Sequence, residues 1–433
     1  MTDIGGLGLQ RAPHTAKARE AAPAPSAGRP LRILYHHRIA AADGMRVHVN
    51  ELVNALRARG HQVLLVGPGE DAPQAAVAGA ESRLERLVER VRRSLPGWAY
   101  ELAELAYNAP AYLRLARAAR TFRPDVVYER YNLFLLAGLA LRARGGPPVL
   151  LEVNAPLAAE RAQLGQLTLR GIGRRCEAAL WRGADAVLPV TAVLAGHVRQ
   201  VRSAGQVHVI PNGADLARRP TSQAVAEARR RLGLPDEALV LGFVGFVRAW
   251  HGVGWAVDAL PTLPPDTHLV IVGDGEALPE LQARAAALGL TDRVHITGSL
   301  PHGEVPAIMQ TFDVALQTGA AAYASPLKLF EYMALGRAVI APDQPNIREV
   351  LTDGADALLF APGDAASFRA ALTRLCGDAE LRRRLGAAAR RTVEERPLTW
   401  AHNAARIEAL AESLLKAARP YPARFKGGSV NAF

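Results

Sequence analysis

Two successive α/β domains, each organised around a parallel sheet, are what this sequence predicts. Three observations lead there. Short β-prone runs alternate with segments of helical apolar spacing from Leu31 onward. The alternation stops at a polar stretch, 214–224, and restarts at Ala238 with the same rhythm. The chain has 433 residues, too many for one ordinary core and suited to two units of roughly 150–200 residues each.

Residues 1–30 are rich in Ala, Pro and Gly and predict a disordered leader. They lack the continuous apolar segment of a secretion signal. Gly5, Gly6 and Gly8 imitate a phosphate loop, but no strand precedes them. Order begins at Leu31-Arg32-Ile33-Leu34-Tyr35. After a loop from His36 to Arg46, residues Val49, Leu52, Val53 and Leu56 fall at helical spacing, and Gly60 stands where a left-handed cap is wanted. Val63-Leu64-Leu65-Val66 completes one βαβ unit.

Between 71 and 120 the rhythm breaks. Leu84, Leu87, Val88 and Val91 form an apolar stripe flanked by Arg83, Arg86, Arg90, Arg92 and Arg93; Trp98, Tyr100, Tyr107 and Tyr112 follow in a second helical stretch. A helix pair packed on its own domain explains the pattern, and so does a basic pair resting on an anionic membrane. Strands are expected again at 125–128, 149–152, 186–190 and 207–210, the last ending at Pro211-Asn212-Gly213. The second series predicts strands at 239–243, 269–272, 294–297, 314–317, 338–341 and 358–360, with helices between them and three more closing the chain. The expected division is a leader at 1–30, a first domain at 31–215, a second at 216–398, a returning helix at 399–417 and a flexible tail at 418–433.

Composition narrows the class. Hydrophobic residues at 49% and charged residues at 21% exclude wholesale disorder. Cys176 and Cys376 are too far apart in sequence for a disulfide framework or a zinc cluster. The longest apolar run, from Leu133, stops at Arg142, too short to span a bilayer. A cytoplasmic protein is expected, with the arginine-flanked stripe as the place where it would touch the inner membrane face. The net charge of +11 fits an anionic substrate or surface; nucleic acid is not expected, because the arginines are scattered and carry no recognition motif. Lys17, Lys328, Lys416 and Lys426 are the only lysines, which singles out Lys328 within the body of the chain.

Ligands of open parallel sheets sit beyond the carboxyl ends of the strands, so the loops there carry the chemistry. Gly245-Phe246-Val247-Arg248-Ala249-Trp250-His251-Gly252 follows the first strand of the second domain and leads into a helix, an arrangement suited to an anion. Gly273-Asp274-Gly275 follows the next strand and permits close backbone approach. Ser325-Pro326-Leu327-Lys328-Leu329-Phe330-Glu331-Tyr332-Met333-Ala334-Leu335-Gly336 predicts a helix with Pro326 in its first turn and Gly336 at its end. Lys328 and Glu331 share a face, either as a surface ion pair or as a phosphate ligand beside a diol acceptor.

These pieces, in this order, resemble the nucleotide-sugar-binding domain of family 4 glycosyltransferases, and Ala338-Val339-Ile340-Ala341 with Asn346-Ile347-Arg348-Glu349-Val350 continues the match. The first half is similar to the family's other domain at Gly44, at Leu56-Arg57-Ala58-Arg59-Gly60-His61-Gln62-Val63 and at Val209-Ile210-Pro211-Asn212-Gly213. The resemblance covers roughly 31–415 and implies the GT-B architecture, in which two Rossmann-like domains face each other across a cleft. It implies a retaining sugar transferase that uses a nucleotide diphosphate-sugar donor and a sugar, lipid-linked sugar or small-molecule acceptor. Synthesis of a polysaccharide, glycolipid or other glycoconjugate is the implied setting.

Donor contacts would fall to Gly44, Gly245, Arg248, His251, Gly273, Gly275, Tyr323, Ser325, Pro326, Leu327, Lys328 and Glu331, with Arg248, Lys328 and Glu331 in the catalytic roles. Acceptor-side candidates are His36, His37, Arg38, Arg130, Asn132 and Asn154. Two positions depart from the family pattern. Tyr323 stands where a glutamate commonly precedes Glu331 by eight residues, and His251 stands near a common lysine, where it adds charge only when protonated. No Asp-x-Asp pair occurs, so neither a metal nor another cofactor is expected. A related epimerase or phosphorylase, or a non-catalytic nucleotide-sugar-binding protein, would share the same motifs.

Overall fold

The computed structural model describes residues 29–39, 44–68 and 95–417. Nearly all of the leader, the tail at 418–433, the arginine-flanked stripe at 84–91 and part of the loop before Gly44 lie outside the described residues.

The alternating runs form two parallel sheets. The first contains β1 (Arg32–His36), β2 (Gln62–Val66), β3 (Val126–Arg130), β4 (Val149–Val153) and β5 (Ala186–Pro189), in the order β2-β1-β3-β4-β5. The second contains β6 (Leu239–Val244), β7 (Thr267–Val272), β8 (Val294–Ile296), β9 (Val314–Leu316), β10 (Ala338–Pro342) and β11 (Leu358–Phe360), in the order β11-β10-β9-β6-β7-β8. That second order is the doubly wound dinucleotide-binding arrangement. Helices cover both faces, so the strands read as continuous apolar runs; β4 and β7 are buried at every residue.

Strand alternation divides each domain into two cores. In the first sheet Ile33 and Tyr35 face the core that takes Val49, Leu52, Val53 and Leu56 from the helix Gly44–Ala58, while Leu34 faces the opposite one. The closing helix Trp400–Ala417 leaves the second domain and places Trp400, Ala404, Ile407 and Ala411 in that same core of the first. Burying each large apolar side chain contributes about 1.5–3 kcal/mol, which anchors this return.

Two segments refine the expected elements. Residues 207–210 are not a sixth strand: Val207 makes one parallel bridge with Val187, and His208 and Ile210 donate to the Val187 and Pro189 carbonyls. Pro189 has no N–H to return, so the ladder stops. In the 95–122 region two helices form, Gly97–Ala106 and Asn108–Phe122. The first is fastened to its own domain by carboxylates: Glu101 accepts from the Thr168 and Leu169 N–H groups, and Glu104 takes Arg38 and Arg161. Trp98, Leu102 and Leu113 point outward, the last 67% exposed.

Sheet order fixes where ligands can enter. In the second domain the connections reverse direction between β6 and β9, and the loops after these strands carry 245–252 and 317–326. In the first domain the reversal lies between β1 and β3, whose ends carry His36 and Arg130.

Candidate active site

The helix Leu327–Ala334 starts from Pro326 in an extended conformation and buries Leu329, Phe330, Tyr332, Met333 and Ala334, which fixes the polar residues between them. Leu327 packs against the core of the first domain, so this helix spans the space between the lobes. The Lys328 ammonium lies 3.8 Å from the centroid of the Phe243 ring, and a Cβ on Gly245 would stand 3.1 Å from it. Lys328 forms no ion pair among the described residues, and burial pushes its pKa down to about 7.

Glu331 sits among several charges. Burial raises its pKa, and its charged neighbours are His302, Arg218, Lys328 and, from the first domain, Glu51. Glu51 in turn pairs with Arg218 at 2.8 Å and with His302 at 3.4 Å. Lys328 and Glu331 feel each other's charge but form no ion pair among the described residues, and neither is exposed, so the surface ion-pair reading of their spacing does not hold.

Arg248 projects from the β6 loop with its guanidinium 4.9 Å from the exposed Phe246 ring. His251 ends the short turn that follows. Its Nδ1 accepts the Arg248 N–H, its ring lies 4.0 Å from Trp250, and its carbonyl accepts from the Thr318 hydroxyl of the β9 loop. Burial, then Lys328 and Arg248, hold the His251 pKa down to about 3, so at neutral pH the ring is uncharged. His251 was expected to add charge only when protonated, and with this pKa it adds none at neutral pH; it organises the loop.

Gly273 and Gly275 serve the same loop. A Cβ on Gly273 would lie 2.2 Å from the Gly245 carbonyl oxygen, and one on Gly275 would lie 2.2 Å from that of Val247. Gly273 also has φ +130, a conformation side chains disfavour. The close approach expected of these glycines is between two protein loops, tied by Val247 N–H donating to the Asp274 carbonyl at 2.8 Å.

Tyr323 faces the first domain: its carbonyl accepts from Thr191 Oγ1 at 2.9 Å, and burial together with the neighbouring Glu160 raises its hydroxyl pKa. Ser325 is tied to the first domain through Asn212, whose main-chain N–H donates to the serine hydroxyl at 3.1 Å and whose amide donates to the serine carbonyl at 2.5 Å.

Across the cleft, only some acceptor-side candidates come together. His36 bonds Glu129 at 2.6 Å. Arg130 and Asn154 both donate to Glu152 Oε1, the second at 2.6 Å, while Tyr128 and His48 bond Oε2 at 2.7 Å and 2.8 Å. Burial alone would raise the Glu152 pKa, but His48 and Arg130 hold it far below the carboxylate range. The other candidates do not join this group. His37 is buried with its ring against Gly67, Arg38 pairs with Glu104 and lies over the Tyr107 ring, and Asn132 is half-buried with its carbonyl accepting from the Leu135 N–H. Gly44 is the first residue of the helix Gly44–Ala58.

Sequence reasoning missed Glu129, Glu152, His48 and Asn212 as site residues. A signal was available for the first two: each is a carboxylate that follows an apolar run inside a strand, Val-Val-Tyr-Glu and Val-Leu-Leu-Glu, where an unpaired charge would be costly.

Comparison with known proteins supports the same architecture. The family model described as Glycosyltransferase Family 4 matches residues 42–218, and that described as Glycosyl transferases group 1 matches 225–392. An Alpha-D-kanosaminyltransferase of Streptomyces kanamyceticus is 32% identical over 37% of this chain and 42% of its own length, so that match spans less than half of the relative. A D-inositol 3-phosphate glycosyltransferase of Thermomonospora curvata is 29% identical over 83% of this chain and 88% of its own. The Anabaena protein HepE, solved in complex with UDP-glucose, superposes with a TM-score of 0.68 over 88% of this chain and 100% of its own, at 19% identity. Two matched models in tandem, on two facing parallel sheets, make this chain a member of the family 4 glycosyltransferases with the GT-B fold.

Proposed function

We propose that the protein transfers a sugar from a nucleotide diphosphate-sugar to an acceptor hydroxyl, with retention of anomeric configuration and without a metal. The observation that carries this reading is the Lys328 ammonium, without an ion pair among the described residues, beside the β6 loop of Arg248 at the reversal point of the second sheet. Cleavage of the sugar C1–O bond sends an electron pair to the diphosphate, and charge grows on its oxygens. Arg248, Lys328 and the free N–H groups opening the helix Leu327–Ala334 would stabilise that charge by preorganised electrostatics. The acceptor oxygen forms the new bond from the face the diphosphate leaves, and its proton passes to the departing phosphate oxygen. Glu331 would hold ribose hydroxyls.

The polar group around Glu152 and the separate His36–Glu129 pair would line the acceptor side, and the complexes of HepE with UDP-glucose support a uridine donor as the first to try. A thermal-shift screen with UDP, GDP and ADP, followed by NMR of the product anomer, tests the reading. A rise in melting temperature with one nucleotide and a retained anomer support it; no shift with any of them overturns it. Contact of the first domain with an anionic membrane through the exposed Trp98, Leu102 and Leu113 belongs to the same proposal.

A further inference from the structure

A chain of polar groups crosses between the lobes, and the transfer chemistry above uses only its two ends. It starts at Glu152, on β4 of the first domain, and ends at Ser325, the second residue before the Lys328 helix of the second. His48 is its middle member. The His48 Nε2 lies 2.8 Å from Glu152 Oε2, and its Nδ1 lies 2.8 Å from Asn212 Oδ1. His48, Asn212 and Glu152 are 5%, 5% and 2% exposed, so water does not compete for these bonds.

The bond directions are fixed by the ends of the chain. The Ser325 carbonyl can only accept, so the Asn212 amide must present its NH2 there and its oxygen to His48. Glu152 is ionised and already receives Tyr128, Arg130 and Asn154, so it too can only accept. Both ring nitrogens of His48 therefore lie against side-chain oxygens, one from each of two distant parts of the first domain. Trp400, edge-on at 5.1 Å, closes the remaining side. A packing role alone would not need two directed bonds joining residues 104 and 164 positions away in sequence.

We infer that His48 is a positioning residue for the donor site. Pinned by the acceptor-side carboxylate Glu152, it orients Asn212, which holds both the hydroxyl and the carbonyl of Ser325 and so sets the start of the helix bearing Lys328. The acceptor side and the diphosphate cradle are mechanically joined through this one imidazole. The inference rests on the donor-site reading above.

The test is a double-mutant cycle on the full chain, with UDP, or GDP or ADP where that nucleotide is the one bound, titrated calorimetrically. His48→Gln and Asn212→Ala are each expected to weaken binding about tenfold. The double variant is expected to match the singles, not to reach about a hundredfold, because the chain is already broken. Should His48→Gln lose its cooperative melting transition, His48→Asn with Asn212→Ala supplies the second cycle, with the same non-additive result expected. Affinity unchanged in folded His48→Gln, even with a lower melting temperature, makes His48 a packing residue and overturns the inference; so do multiplying effects. A wild-type chain that binds none of the three nucleotides refutes the donor-site reading, and the inference falls with it.

Discussion

Lys328 lies over the face of Phe243, with its ammonium 3.8 Å from the ring centroid. The ring is on β6 and the lysine opens the helix after β9, so the contact spans the point where the second sheet reverses. A ring face attracts a cation without neutralising it. The ammonium thus keeps its affinity for an anion, while burial has already removed part of its water.

That arrangement has a proton signature. With its pKa lowered to about 7, free Lys328 is largely neutral above that pH, and a bound diphosphate favours the charged form. Nucleotide binding near pH 8 should take up a substantial fraction of one proton, and affinity should be greatest below about pH 7 and decline as pH rises. Calorimetry in buffers of different ionisation heat measures the uptake. Lys328→Met should abolish it and lower turnover on the order of ten- to a hundredfold.

Gly273→Ala should be far more damaging than its one added carbon implies. The new Cβ would meet the Gly245 carbonyl at 2.2 Å at φ +130, so the two loops must part. A loss of about 1–3 kcal/mol in urea unfolding is expected, with weakened nucleotide binding because the Arg248 loop shifts. An alanine variant as stable as the wild type would show that the loops do not need this contact.

Glu152→Gln should cost about 3–5 kcal/mol near neutral pH, because Arg130 and His48 lose their charged partner in a buried setting. The native carboxylate has a depressed pKa, so its contribution is present above the unfolded value of about 4.3 and is lost as pH falls toward the native one. The stability difference between wild type and variant should therefore narrow on acidification below about pH 4. Urea midpoints measured at several pH values decide this.

Activity should survive EDTA. The proposed cradle supplies its positive charge from Arg248 and Lys328, and a loss of turnover restored by magnesium or manganese would show that these side chains do not suffice.

The wild-type protein should float with vesicles containing anionic phospholipid and stay down with neutral ones. Trp98→Ser combined with Leu113→Ser should reduce flotation severalfold without lowering the melting temperature, since both side chains are more than half exposed.

Much of the scaffold could be read from periodicity, because strands buried on both faces leave unbroken apolar runs such as Leu-Val-Ile-Val in β7. The donor loops were legible for a related reason: Gly245, Arg248 and Lys328 sit at strand and helix ends, where local pattern and topology coincide. The polar chain through His48 was not legible. Its members come from Asn212, Glu152 and Ser325, each more than a hundred residues from its partner, and single-residue patterns carry no record of such pairings. For His251 the sequence left the charge conditional on protonation, and only its burial settles which form the ring takes.

The chain passes between the lobes twice, once at Ala214 and again at Thr399, and the two passes are stitched by the Ala214–Thr399 bridge with Gly213 pressed against the Trp400 main chain. A single tether would let one half swivel freely. A doubled one resists that swivel. Deleting the returning helix would leave the single tether and strip the cover from Ile33 and Tyr35.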